Sequence, residues 1–124
     1  LENPLDPVIC RDPRFRTEAY ILVYEALTYT QKLFGRERHV TGQELCEGLR
    51  QFCLERYGRM AKAVLNSWGV HATDDFGAIV YNLIDAGMMG KTESDRIEDF
   101  HAAYDFEEAF VRSYRLTDGN KHDA

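Results

Sequence analysis

Apolar side chains recur at spacings of three and four along most of this chain, the period of amphipathic helices rather than strands. Asp12 followed by Pro13 predicts a helix start, since Asp accepts from free N–H groups and proline lacks the donor that would be orphaned there. A first long helix is expected from Pro13 to Phe34, with Phe15, Ala19, Leu22, Ala26 and Leu33 in one stripe, Val23, Leu27 and Phe34 widening it, and Gly35 as its stop. Leu1 to Arg11, with Pro4 and Pro7, reads as an arm holding at most one anchoring turn around Val8 and Ile9. Arg38, His39 and Val40 could form a very short strand. Thr41-Gly42-Gln43-Glu44 is a capping box that starts the next helix, which carries Leu45, Leu49, Phe52 and Cys53 inward and ends at Gly58.

A shorter amphipathic segment follows, with Met60, Ala61, Val64, Leu65 and Trp68 on one face and Gly69 at its end. Thr73 is the expected cap of a further helix, striped by Phe76, Ile79, Val80, Leu83 and Ile84 up to Gly87. Met88–Thr92 and Arg96–Phe100 flank the polar turn Glu93-Ser94-Asp95 and predict a β-hairpin, with a helical turn capped by Thr92 as the rival. Asp105 to Glu108 repeats the cap pattern before a last short helix. The expected fold is mainly α with a small β-hairpin, a winged helix-turn-helix-like single domain over residues 12–116, preceded by the arm 1–11 and followed by a frayed tail, 117–124.

Composition fits a globular domain: 124 residues, 44% hydrophobic and 29% charged, enough to bury roughly two-thirds of the unfolded surface. No apolar run reaches the ~20 residues that span a bilayer, so no membrane role is expected. The three cysteines are expected as reduced thiols, in keeping with a cytoplasmic location. Cys46 and Cys53 lie about 10 Å apart along one helix at 1.5 Å per residue, too far to bridge. Because the chain begins at Leu1, its native start has been trimmed or replaced in this reading.

Charge changes the picture more than composition does. Residues 1–70 carry 10 basic and 9 acidic groups, whereas residues 71–124 carry 5 and 12. The would-be recognition helix holds Asp74, Asp75 and Asp85 and no Lys or Arg, leaving only Tyr81 and Asn82 to read a base, so DNA binding through that face is disfavoured. The basic residues Arg36, Arg38, Arg50, Arg56, Arg59 and Lys62 read as a solvated face. Phe100, Tyr104, Phe106 and Phe110 sit in a stretch with seven carboxylates, from Glu93 to Glu108. Either these rings pack the wing onto the first long helix, or Asp99, Phe100, Tyr104, Asp105, Phe106 and Glu107 form an acidic aromatic surface for a basic protein partner.

No catalytic residues, cofactor or metal are expected. His71, Asp74 and Asp75, or Glu98, His101 and Asp105, do not make a recognised closed ligand set. Cys46, two residues after Glu44 in a helix, is badly placed for a thiolate. The leading expectation is a non-catalytic protein-interaction module. The alternatives are a winged-helix DNA-binding regulator, acting through the basic first half or a homodimer groove, and a metal-dependent enzyme.

Read as one string, Asp12-Pro13-Arg14, His39-Val40-Thr41-Gly42-Gln43-Glu44-Leu45, and Ala61-Lys62 with Val64-Leu65-Asn66-Ser67-Trp68-Gly69 resemble a conserved hypothetical protein family of planctomycete and verrucomicrobial bacteria. The resemblance continues through Asp75-Phe76-Gly77, Asn82-Leu83, Ala86-Gly87, Lys91-Thr92-Glu93, Glu98-Asp99-Phe100, Tyr104-Asp105-Phe106 and Glu108-Ala109-Phe110. It implies a small bacterial cytoplasmic protein and carries no activity with it.

Overall fold

The computed structural model describes residues 3–35 and 39–113. Among these residues every regular element is helical. The chain runs through α1 (Asp6–Arg11), α2 (Thr17–Leu33), α3 (Gly42–Tyr57), a 3-10 turn (Gly58–Met60), α4 (Ala61–Ser67) and α5 (Thr73–Asp85). A second 3-10 turn (Ile97–Phe100) and a short π-helix (Glu107–Arg112) complete it. No helix among the described residues is long and apolar enough to cross a membrane. The tail from residue 117 and the basic residues Arg36 and Arg38 lie outside the described residues, and His39 and Val40 form no strand.

The arm contains one helical turn, α1, whose Val8 is buried. Helix α2 begins at Thr17, later than its expected start, because Asp12 has other partners. Its carboxylate accepts from Arg14 Nε and Nη2, both at 2.8 Å, and from Asn82 Nδ2 at 2.8 Å. Those bonds, led by the one from Arg14, hold the Asp12 carboxyl well below the usual carboxylate range. The turn they fix crosses close to Gly69 (φ +92°), where a Cβ would run into the Arg14 carbonyl. Leu33, expected in the α2 stripe, is exposed, as is Met60, expected on the inner face of the next segment.

Helix α2 buries Ala19, Leu22, Val23 and Ala26, and crosses α3 so closely that a Cβ on Gly48 would fall inside the Thr30 side chain. Thr30 is fully buried and returns its hydroxyl to the Ala26 carbonyl at 2.6 Å, so this polar side chain is satisfied at the crossing. The Thr41–Glu44 capping box forms as expected: Thr41 Oγ1 accepts from Glu44 N at 3.1 Å and Glu44 Oε1 from Thr41 N at 2.9 Å. Helix α5 buries Phe76, Ile79, Val80 and Leu83 against the same core.

The expected β-hairpin is absent. Its backbone donors go to side chains rather than to a partner strand: Thr92 N donates to Asp95 Oδ2 (2.8 Å) and Arg96 N to Asp99 Oδ2 (3.2 Å). Acidic residues three positions ahead favour such local turns over a ladder, and the second bond opens the 3-10 turn Ile97–Phe100. A turn does open at Thr92, as the rival reading expects, with Asp95 N donating to Thr92 O at 3.1 Å, but the first helical element after it begins at Ile97. At the C-terminal end Asp105 acts as expected, its Oδ2 accepting from Glu108 N at 3.1 Å ahead of the last short helix.

Candidate binding site

The segment after α5 is fastened by one aromatic side chain and one clasp. Phe100, 3% exposed, enters a slot between α3 and α5 that exists because two helical positions are glycine. A Cβ at Gly77 would lie 2.8 Å from Phe100 Cβ, and one at Gly42 3.1 Å from Phe100 Cε2. The clasp closes on the start of α5. Thr73 is not the N-cap, a position taken by Ala72; it is buried, donates its hydroxyl to Phe100 O (2.7 Å) and accepts from Ala103 N (3.0 Å). Asp74 accepts from Ala102 N (3.1 Å), where Ala102 has φ +46°, and pairs with His101 Nδ1 at 2.7 Å. The His101 bond lowers the Asp74 pKa, and Asp74 in turn raises that of His101.

Beyond Phe100 this arrangement leaves a cleft of about 350 Å³ bounded by α2, the start of α3, α5 and the loop 89–96. Leu27, Val40, Leu45, Ile84 and Met89 make it apolar, and His39, Lys91, Asp95, Arg96 and Asp99 bring charge to its lining. Both carboxylates are engaged. Asp95 accepts from Thr92 N and pairs with His39 Nε2 at 2.7 Å; burial pushes its pKa up, yet these bonds hold it below the usual value. Asp99 accepts from Arg96 N and from Gln43 Nε2 at 3.2 Å. Lys91 lays its ammonium 5.4 Å from the centre of the Tyr81 ring. The Tyr81 hydroxyl is buried without a hydrogen-bond partner. Burial, and then Asp95, Asp99 and Glu98, raise its pKa, so it remains a protonated donor with nothing to donate to.

The residues proposed as an acidic aromatic surface do not share one face. Phe100 and Phe106 are each 3% exposed, and Phe106 packs against Phe76 and Phe110 with ring centroids 5.7 and 5.0 Å apart. Tyr104 is half-buried with its hydroxyl on Cys46 O at 2.7 Å, and burial raises its pKa well above the ordinary tyrosine value. These rings therefore pack toward α3 and α5, not onto the first long helix. Asp99 is half-buried at the cleft, Glu107 lies 3.6 Å from Lys62, and Asp105 alone of the six is exposed.

Comparison of the chain with family models, with curated proteins and with solved structures finds no match.

Other candidate chemistry is tied down. Asn82, one of two residues able to read a base from the would-be recognition helix, gives its amide to Asp12 and to the Tyr20 hydroxyl (3.1 Å). Burial pushes the Cys46 and Cys53 thiols to about 12, while Cys10 is exposed. No group of metal-ligating side chains is assembled among the described residues. Sequence reasoning missed the cleft because its lining comes from four separate stretches, none carrying a catalytic or ligand motif. The pairing of apolar Leu27 and Ile84 with Lys91 and Arg96 exists only once α2 and α5 are side by side.

Proposed function

We propose that this chain is a non-catalytic binding module and that the cleft is its binding site. The observation that carries the reading is a largely apolar cavity of about 350 Å³ whose lining also holds Lys91 and Arg96. Small-molecule sites span about 300–1,000 Å³ and set a few polar groups in a mostly apolar surface, and this cleft falls at the small end. Binding is favoured over thiol chemistry because burial holds the two internal thiols protonated. A fragment screen by ligand-observed NMR tests the reading. Hits should compete for one site and disappear in Thr92→Trp, which places a bulky ring at the exposed cleft rim; hits that persist in that variant would refute the assignment.

A second reading, an acidic docking face for a basic protein, is supported by a set of residues that keeps only Asp105 of the six first proposed. Glu93, Glu98 and Asp105 are exposed, have no cation at ion-pair distance among the described residues, and lie on a segment held by Phe100 and the Thr73 clasp. A lysine-rich peptide at low salt should then bind the native chain and not the variant with all three changed to Lys. Equal binding to both would remove this reading.

A further inference from the structure

We infer, building on the cleft as binding site, that its ligand is a small amphipathic carboxylate, with its apolar body against Leu27, Ile84 and Met89 and its anionic head met by Lys91 and Arg96. The argument is one of charge commitment. The carboxylates lining the cleft already have their donors: Asp95 holds Thr92 N and His39, and Asp99 holds Arg96 N and Gln43. The two cations do not. Neither the Lys91 ammonium nor the Arg96 guanidinium has a carboxylate at ion-pair distance among the described residues, and Lys91 instead lies over the Tyr81 ring. The lining is balanced in formal charge, Lys91 and Arg96 against Asp95 and Asp99, and what distinguishes the cations is that they alone of the four have no hydrogen-bonding partner for their charged groups among the described residues.

That complementarity fixes the head group. A carboxylate accepts charge-assisted hydrogen bonds from both cations. A single negative charge suits the surroundings better than a phosphate monoester, because exposed Glu93 and Glu98 stand next to the lining residues in the chain and repel a second charge. The apolar wall requires an alkyl or single-ring body and gives no place to a fully polar acid.

Calorimetric titration with octanoate, octanol, octylamine and octyl phosphate on the full chain tests the inference. Octanoate should bind about tenfold or more tighter than octanol, the gain expected of one charge-assisted bond. The double variant K91Q/R96Q should bring octanoate to the level of octanol while leaving octanol binding unchanged, with an unaltered circular dichroism spectrum showing that the fold is kept. Equal octanoate and octanol affinities, or tighter binding of octylamine or octyl phosphate, would overturn the carboxylate and leave the cleft standing. Failure of all four probes would overturn the cleft reading and this inference together.

Discussion

Replacing Thr73 by Val isolates the clasp that fastens the segment after α5. The two side chains have nearly the same shape, so what changes is the hydroxyl, which at this fully buried position donates to Phe100 O at 2.7 Å and accepts from Ala103 N at 3.0 Å. Valine strands both backbone groups. The Phe100 carbonyl sits in a buried environment and bears a desolvation penalty of about 1–3 kcal/mol, whereas Ala103 is exposed, so water recovers much of its bond. The expected loss is therefore about 2–3 kcal/mol, a large fraction of the roughly 5–15 kcal/mol typical of a domain. Thr73→Ser is the control: it keeps both bonds and gives up one methyl, at about 1 kcal/mol. Urea unfolding followed by circular dichroism reads both, and exchange of the Ala103 amide should quicken in the valine variant alone. If valine falls within about 0.5 kcal/mol of the native chain, or serine is the more damaging change, the clasp does not hold the segment as argued.

Gly77→Ala should destabilise by about 1–3 kcal/mol, since its Cβ would meet Phe100 Cβ at 2.8 Å, while Gly90→Ala, which faces open space, should be close to neutral in the same thermal melt. The His101–Asp74 pair has its two signs worked out separately. His101, with a raised pKa, contributes below its unfolded value of about 6.5 and loses that contribution as pH rises through the folded pKa; Asp74, with a lowered pKa, contributes above about 3.8 and loses it as pH falls. An NMR titration should show the His101 midpoint falling in Asp74→Asn, and an unmoved midpoint would dismiss the pairing. A thiol reagent should label Cys10 promptly and Cys46 and Cys53 only on unfolding, as their burial and pKa values near 12 require; fast labelling of all three would contradict the core packing.

The local signals that proved legible are those whose partners lie within a few residues. The Thr41–Glu44 box formed, and Gly35, Gly58, Gly69 and Gly87, expected as helix stops, all have positive φ. Signals whose outcome depended on distant partners misled. Asp12 looked like a cap, but Asn82, 70 positions away, and Arg14 take its carboxylate; Thr73 also looked like a cap, but Phe100 O takes its hydroxyl. The hairpin failed for a subtler reason: Asp95 and Asp99 satisfy the backbone donors that a ladder would have needed, a competition that alternation of apolar residues does not report. The aromatic run reads two ways in the sequence, packed or exposed. Its burial could not be separated from exposure without the glycines opposite it, Gly42 and Gly77, which read in isolation as ordinary helix positions.

Heteronuclear NMR with octanoate added stepwise to the isotope-labelled chain tests the central claim most directly. The account expects saturable amide shifts confined to the residues around the cleft, Val40, Tyr81, Lys91 and Arg96 foremost, with little change at Asp105 or across the exposed side of α4. Shifts centred on the acidic residues from Glu93 to Glu108 and sparing Val40 and Tyr81, or no shifts at all, would contradict it.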